Sequence, residues 1–203
     1  MKVTTNGYWF RVGMSLAFGL IATSAALGGG PLFPGAAFAV EDQPFSVAIR
    51  DLNGDQVLDL AVTNRESDSV SVLLGTGDGT FAAGVHYATG DEAQSVTIGD
   101  LDGDQVPDLA VANFGDGNIS VLLGIGNGTF TTAVSYAALV FPVSVVIGYL
   151  DGDQVPDLAI AGSSQEISVL LGVGDGTFAA AVRYAGGGNP SSIAIGDLNG
   201  DQV

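Results

Sequence analysis

"GDLDGDQVPDLAVAN", Gly99–Asn113, decides the fold of this chain because the chain writes it more than once. It returns as "RDLNGDQVLDLAVTN" at Arg50–Asn64, as "GYLDGDQVPDLAIAG" at Gly148–Gly162, and as "GDLNGDQV" at Gly196–Val203. The acidic phrase begins at Asp51, Asp100, Tyr149 and Asp197, at intervals of 49, 49 and 48. Two further markers keep that beat: "SVLLG" at Ser71, Ser120 and Ser168, and "GTGDGTF", "GIGNGTF" and "GVGDGTF" ending at Phe81, Phe130 and Phe178. A period near 50 marks an array of repeated supersecondary units.

Each unit reads as four short strands. In the second unit Ser95–Gly99, Leu109–Asn113, Ile119–Gly124 and Ala133–Ala137 are β-branched or apolar runs, divided by Gly/Asp/Asn turns. Such punctuation predicts antiparallel hairpins. No stretch after Ala39 carries a long helical period. The expected fold is all-β: propeller blades of four antiparallel strands, in a partial array. The predicted units are about 45–91 for blade 1, 92–140 for blade 2, 141–189 for blade 3, and 190–203 for the start of a fourth. One blade alone leaves both faces wet, and stacking on its neighbours buries them. The Leu, Val and Ile of "SVLLG" and "LAVA" are therefore expected between blades.

The 203 residues include 5 basic and 22 acidic side chains, a formal net charge of −17. Such a surface repels phosphate backbones, which argues against nucleic acid as a partner. There is no cysteine and a single histidine, His86. Disulfides, thiolate metal sites and multi-histidine metal sites are thereby excluded. Residues 1–39 read as a signal peptide: Lys2 and Arg11 lead, Met14–Leu27 is mostly apolar, and Ala37-Phe38-Ala39 is a small-x-small cleavage pattern. Cleavage would leave 40–203 with no stable membrane span, secreted or at the cell surface.

Counted from its first letter, the second phrase carries Asp100, Asp102, Asp104 and Asp108 at positions 1, 3, 5 and 9, with the carbonyl of Val106 at position 7. Four carboxylates in nine residues repel one another unless a cation neutralises them. Oxygen donors at alternate positions of a tight loop suit Ca2+; Mg2+ prefers a stricter octahedron with water. The first copy offers Asp51, Asn53, Asp55, Val57 and Asp59. The third offers Asp151, Asp153, Val155 and Asp157, with Tyr149 at position 1, and the fourth Asp197, Asn199 and Asp201. An EF-hand is ruled out, since strands flank the loop and position 12 of the second copy is Val111.

"DLNGDQVLDLAV", "SVSVLLGTGDGTF" and their copies resemble the FG-GAP repeat family, also known in bacteria as VCBS-type repeats. The resemblance covers about Phe45–Val203. It implies the blade fold of the integrin α-subunit propeller, usually seven-bladed, with calcium between the first two strands of a blade. That family usually has glycine at loop position 6, whereas this chain has Gln56, Gln105, Gln154 and Gln202. Three full units are too few to close such a ring, so the array is expected to belong to a longer propeller. The functional expectation is a non-catalytic, calcium-binding extracellular protein for adhesion or recognition of a protein or carbohydrate ligand. The alternative is the repeat region of a larger carbohydrate- or lipid-acting enzyme. Asp78, Asp116 and Asp175 lie in Gly-rich turns and are expected to be turn formers, and no residue reads as catalytic.

Overall fold

A computed structural model describes residues 37–163 and 165–196. Residues 1–36 of the expected signal peptide, and Asp197, Asn199, Asp201 and Gln202 of the fourth phrase, lie outside the described residues. The repeats belong to one unit, Ala39–Val203.

Among the described residues, twelve strands make three four-stranded antiparallel sheets. Sheet 1 holds β1 (Pro44–Arg50), β2 (Asp59–Asn64), β3 (Ser69–Leu73) and β4 (Val85–Ala88). Sheet 2 holds β5 (Ala93–Gly99), β6 (Asp108–Asn113), β7 (Asn118–Leu122) and β8 (Val134–Ala137). Sheet 3 holds β9 (Pro142–Gly148), β10 (Asp157–Gly162), β11 (Glu166–Leu170) and β12 (Val182–Ala185). Every sheet is a simple meander in chain order, and no described residue is helical. This is the all-β, blade-like fold expected from the turn signals.

The sheets stack through two apolar layers. In β6 the side chains alternate between them: Leu109 and Val111 join Leu52, Ala61, Val70 and Val72 of sheet 1. Ala110 and Ala112 join Leu158, Ile160 and Leu170 of sheet 3. Strand alternation sends neighbouring residues to opposite faces, so a strand covered on both sides reads as a continuous apolar run. The two faces differ in size. The alanines of one sheet receive the leucines and isoleucines of the next.

Aromatic pairs pin the rim of each layer. Tyr87 of sheet 1 meets Phe130 of sheet 2 edge-on, with centroids 5.6 Å apart, and its hydroxyl accepts the Phe130 N–H at 3.3 Å. Tyr136 of sheet 2 meets Phe178 of sheet 3 at 5.4 Å. At the opposite end the same joints differ. Arg65 is paired with Glu92 at 2.5 Å between sheets 1 and 2, while Phe114 stacks on Phe141 at 4.8 Å at the equivalent place between sheets 2 and 3.

One exchange is visible inside the sheets. The buried Asn113 amide donates to Asn118 Oδ1 at 2.6 Å and Ser120 Oγ at 2.8 Å, and Gly90 packs on it so closely that a Cβ there would lie 2.7 Å from Asn113 Nδ2. In sheet 3 the asparagine becomes Gly162 and the glycine becomes Leu139, whose Cδ1 fills the space 2.0 Å from where a Gly162 Cβ would stand. Ser168, the counterpart of Ser120, thereby keeps a buried hydroxyl without a partner.

The stacking predicts a graded cost for aromatic truncation. Phe130→Ala removes a buried ring and its edge contact and should lower unfolding free energy by about 3 kcal/mol or more. Tyr184 stands where Tyr87 and Tyr136 stand but is 51% exposed, so Tyr184→Ala should cost less than about 1 kcal/mol. Denaturant midpoints of the two variants, measured side by side, check this; equal costs would contradict the stacking assignment.

Candidate metal centre

The acidic phrases form the β1–β2, β5–β6 and β9–β10 loops. Each doubles back through two left-handed residues. Gly54, Gly103 and Gly152 have φ of 80°, 82° and 84°, and Gln56, Gln105 and Gln154 have φ of 67°, 69° and 66°. Position 6 is thus a left-handed site, the kind that glycine occupies without strain. Glutamine there is strained by roughly 1 kcal/mol.

In the first two loops the position-1 carboxylate caps this reversal. Asp100 accepts the N–H of Gly103 at 2.7 Å on one oxygen and of Gln105 at 2.9 Å on the other. Asp51 does the same for Gly54 and Gln56, both at 2.7 Å. Burial raises the pKa of Asp51, but the N–H groups of Gln56, Gly54, Asn53 and Asp55 outweigh it and hold the carboxyl below its usual range. Tyr149 has no carboxylate to receive the corresponding N–H groups, and its ring is 61% exposed. The third loop makes the same reversal without these bonds and has one carboxylate fewer at its mouth than the second. Positions 3 and 5 make shorter links. Asp104 N–H reaches Asp102 at 3.1 Å, and Val106 N–H reaches Asp104 at 2.7 Å. Asp153 N–H and Val155 N–H repeat these contacts at 3.1 and 2.8 Å. In the first loop Val57 N–H reaches Asp55 at 2.7 Å, and the Asn53 amide spans to Asp55 Oδ2 at 3.0 Å.

Position 9 is the buried anchor. Asp59, Asp108 and Asp157 are fully buried. Asp108 accepts Leu101 N–H on Oδ2 and Gly124 N–H on Oδ1, both at 2.7 Å. Asp59 takes Leu52 and Gly75 at 2.8 and 2.7 Å, and Asp157 takes Leu150 and Gly172 at 2.7 and 2.9 Å. The glycine closing "SVLLG" is thus part of the centre, a role the sequence reading did not give it. A Cβ on Gly75, Gly124 or Gly172 would lie 2.4, 2.3 and 2.3 Å from the carbonyl oxygen at loop position 8. The signal available in the sequence was that this glycine closes all three copies of the motif.

Asp100, Asp102 and Asp108 each place a carboxylate oxygen within 4.8 Å of the other two. Among the described residues this is the one such acidic group; Asp104 and the carboxylates of the first and third loops do not complete another. Burial pushes the Asp108 carboxyl up to about 6, the charges of Asp102 and Asp104 add to this, and the N–H groups of Gly124 and Leu101 oppose it. Burial, with the charges of Asp104 and Asp100, also raises Asp102. Converging, electrostatically unrelieved oxygen donors without nitrogen or sulfur fit a hard divalent cation.

A family model for the FG-GAP-like repeat matches residues 51–111, 100–160 and 149–203. The chain belongs to this family. No curated protein matches the chain. Among solved structures, BBS1N in complex with ARL6DN is similar over 81% of this chain and 50% of its own, at 18% identity and a TM-score of 0.52, a likeness of fold alone. An Agrocybe aegerita lectin that recognises non-reducing terminal N-acetylglucosamine matches at 25% identity and a TM-score of 0.47, over 66% of this chain and 36% of its own. The Photorhabdus luminescens Tc holotoxin pore matches at 19% and 0.42, over 68% and 7%. The chain spans half or less of each of these proteins.

The raised Asp108 predicts a pH dependence for the cation-free chain. Its folded pKa, about 6, exceeds the unfolded value of 3.8, so the unfolded state releases this proton first. Stability should fall as pH rises from about 4 to about 6, by on the order of 3 kcal/mol from this group. Urea midpoints in a chelator across that window should show the fall, and Asp108→Asn should flatten it. An unchanged slope in the variant would remove Asp108 as its source.

Proposed function

We propose that the chain is a secreted or cell-surface, calcium-binding β-propeller repeat protein that recognises a protein or carbohydrate ligand without catalysis. The convergence of Asp100, Asp102 and Asp108 carries the calcium assignment. Calcium would be held at the second loop by these three carboxylates, with Asp104 and the Val106 carbonyl from the same turn. Bound there, the ion supplies positive charge that cancels the mutual repulsion of the loop; it performs no chemistry on a substrate. The same positions in the first loop, Asp51, Asn53, Asp55, Val57 and Asp59, carry one carboxylate fewer. The third keeps Asp151, Asp153, Val155 and Asp157. Asp197, Asn199 and Asp201 would begin a fourth.

The non-catalytic reading is supported by the engagement of three acids outside the loops. Asp78 accepts from Thr76 and Thr80, Asp175 from Thr177, and Asp116 from the N–H of Asp91. Each behaves as a turn former rather than as one of two carboxylates facing each other across a cleft, as a glycosidase requires. Calcium, abundant outside cells, and the strongly acidic composition agree with an extracellular setting.

Melting of the chain in millimolar calcium and in chelator tests the cation. Binding to the native state raises stability by RT ln(1 + [L]/Kd), so calcium should raise the midpoint and sodium at equal ionic strength should not. Identical midpoints in calcium and chelator would end the proposal.

Tyr149→Asp supplies the third loop with its missing carboxylate and should tighten calcium there about tenfold, the worth of one charge-assisted contact. Calorimetric titration of the variant against the parent chain reads this directly. Equal affinities would show that position 1 is not a ligand.

A further inference from the structure

We infer that the second loop is also the joint between sheets 2 and 3, so that an ion held by Asp100–Asp108 tightens the β11–β12 hairpin of the adjoining sheet. This rests on the calcium reading above and adds a mechanical output to it. Leu101 lies in the chain between two ligand positions, Asp100 and Asp102. Its N–H is held by Asp108 at 2.7 Å, and its side chain, 1% exposed, packs in one cluster with Leu158, Ile160, Leu170 and Phe178 of sheet 3. Asp102 borders the β11–β12 connection of that sheet. Its Cβ lies 3.4 Å from where a Cβ on Gly176 would stand, beside Leu123 Cδ2 at 2.8 Å. Gly176 is the buried tip of the hairpin, which the Gly172–Phe178 bridge closes. The loop that carries the ligands is therefore the seat on which the neighbouring hairpin rests.

Lifting the hairpin unseats Leu101 and displaces the ligands on both sides of it. An opening that releases the ion is suppressed by the factor 1 + [L]/Kd. Leu150, the counterpart of Leu101 in the third loop, is 36% exposed, so that loop lacks the seat and serves as an internal comparison.

Hydrogen exchange of the full chain, in calcium chloride and in chelator, tests this alongside calorimetric calcium titration. At a hundred times Kd, exchange at Gly172–Phe178 should slow by up to about 100-fold. Asp157 also ties Gly172 to the third loop, so a variant must separate the two sources. Asp102→Asn/Asp104→Asn weakens only the second loop, and asparagine already occupies the equivalent of position 102 at Asn53. In this variant the slowing at Gly176–Phe178 should vanish while that at Tyr149–Asp157 and at Gly172, which Asp157 holds, persists. Leu101→Val, which keeps every ligand, should retain the binding heat and show less slowing at the hairpin. If Gly176–Phe178 still slows in the double variant, or the parent slows only at Asp100–Asp108, the joint is refuted and the calcium site stands. No binding heat in the parent refutes the calcium reading and the joint together.

Discussion

The structure depends on a carboxylate that never reaches the surface. Asp59, Asp108 and Asp157 each take one N–H from their own loop and one from the glycine ending the third strand. Burying such a group is costly unless its oxygens are bonded, and two N–H donors at 2.7–2.9 Å meet that condition. The link sets the spacing between two adjacent connections of one sheet. It also fixes where the remaining carboxylates must lie, since the chain from position 1 to position 9 has its exit nailed down. In the second loop the environment pushes the anchor's proton affinity upward, so the element that holds the loop together is also the one most sensitive to what else occupies it.

Stacking follows from that fixed loop. Leucine at loop position 2 is 1% exposed at Leu52 and Leu101 because its N–H is tethered to the anchor while its side chain lies under the next sheet. Electrostatics within one sheet and apolar packing between two sheets thus meet in a single residue. Where no described sheet lies beyond, as at Leu150 and Tyr184, the same positions are open to solvent.

Much of this was legible in the letters. Period, strand order and turn positions followed from the repeated markers, because hairpins are local and their Gly/Asp punctuation is chemically explicit. The left-handed position of Gln56, Gln105 and Gln154 was also readable, since such loops reverse there. Which carboxylates converge was not. Asp100, Asp102 and Asp108 meet while the near-identical first and third loops do not complete a group, a difference that goes with one amide and one tyrosine. The part played by Gly75, Gly124 and Gly172 was hidden as well. A backbone donor leaves no trace in the identity of a side chain, and the carbonyl that crowds these glycines comes from fifteen or more residues away.

Units this alike invite mispairing while the chain folds, since a strand could settle against the wrong neighbour at little loss. The residues that differ between otherwise equivalent joints bear on that hazard. Arg65 opposite Glu92 and Phe114 opposite Phe141 are not interchangeable partners: exchanging them would set the Glu92 carboxylate against a ring in place of its counter-charge. The exchange of Asn113 and Gly90 for Gly162 and Leu139 does the same for volume inside a sheet. Divergence between the copies then works as an address, giving each seam one correct neighbour in a chain whose strands otherwise share a common spelling.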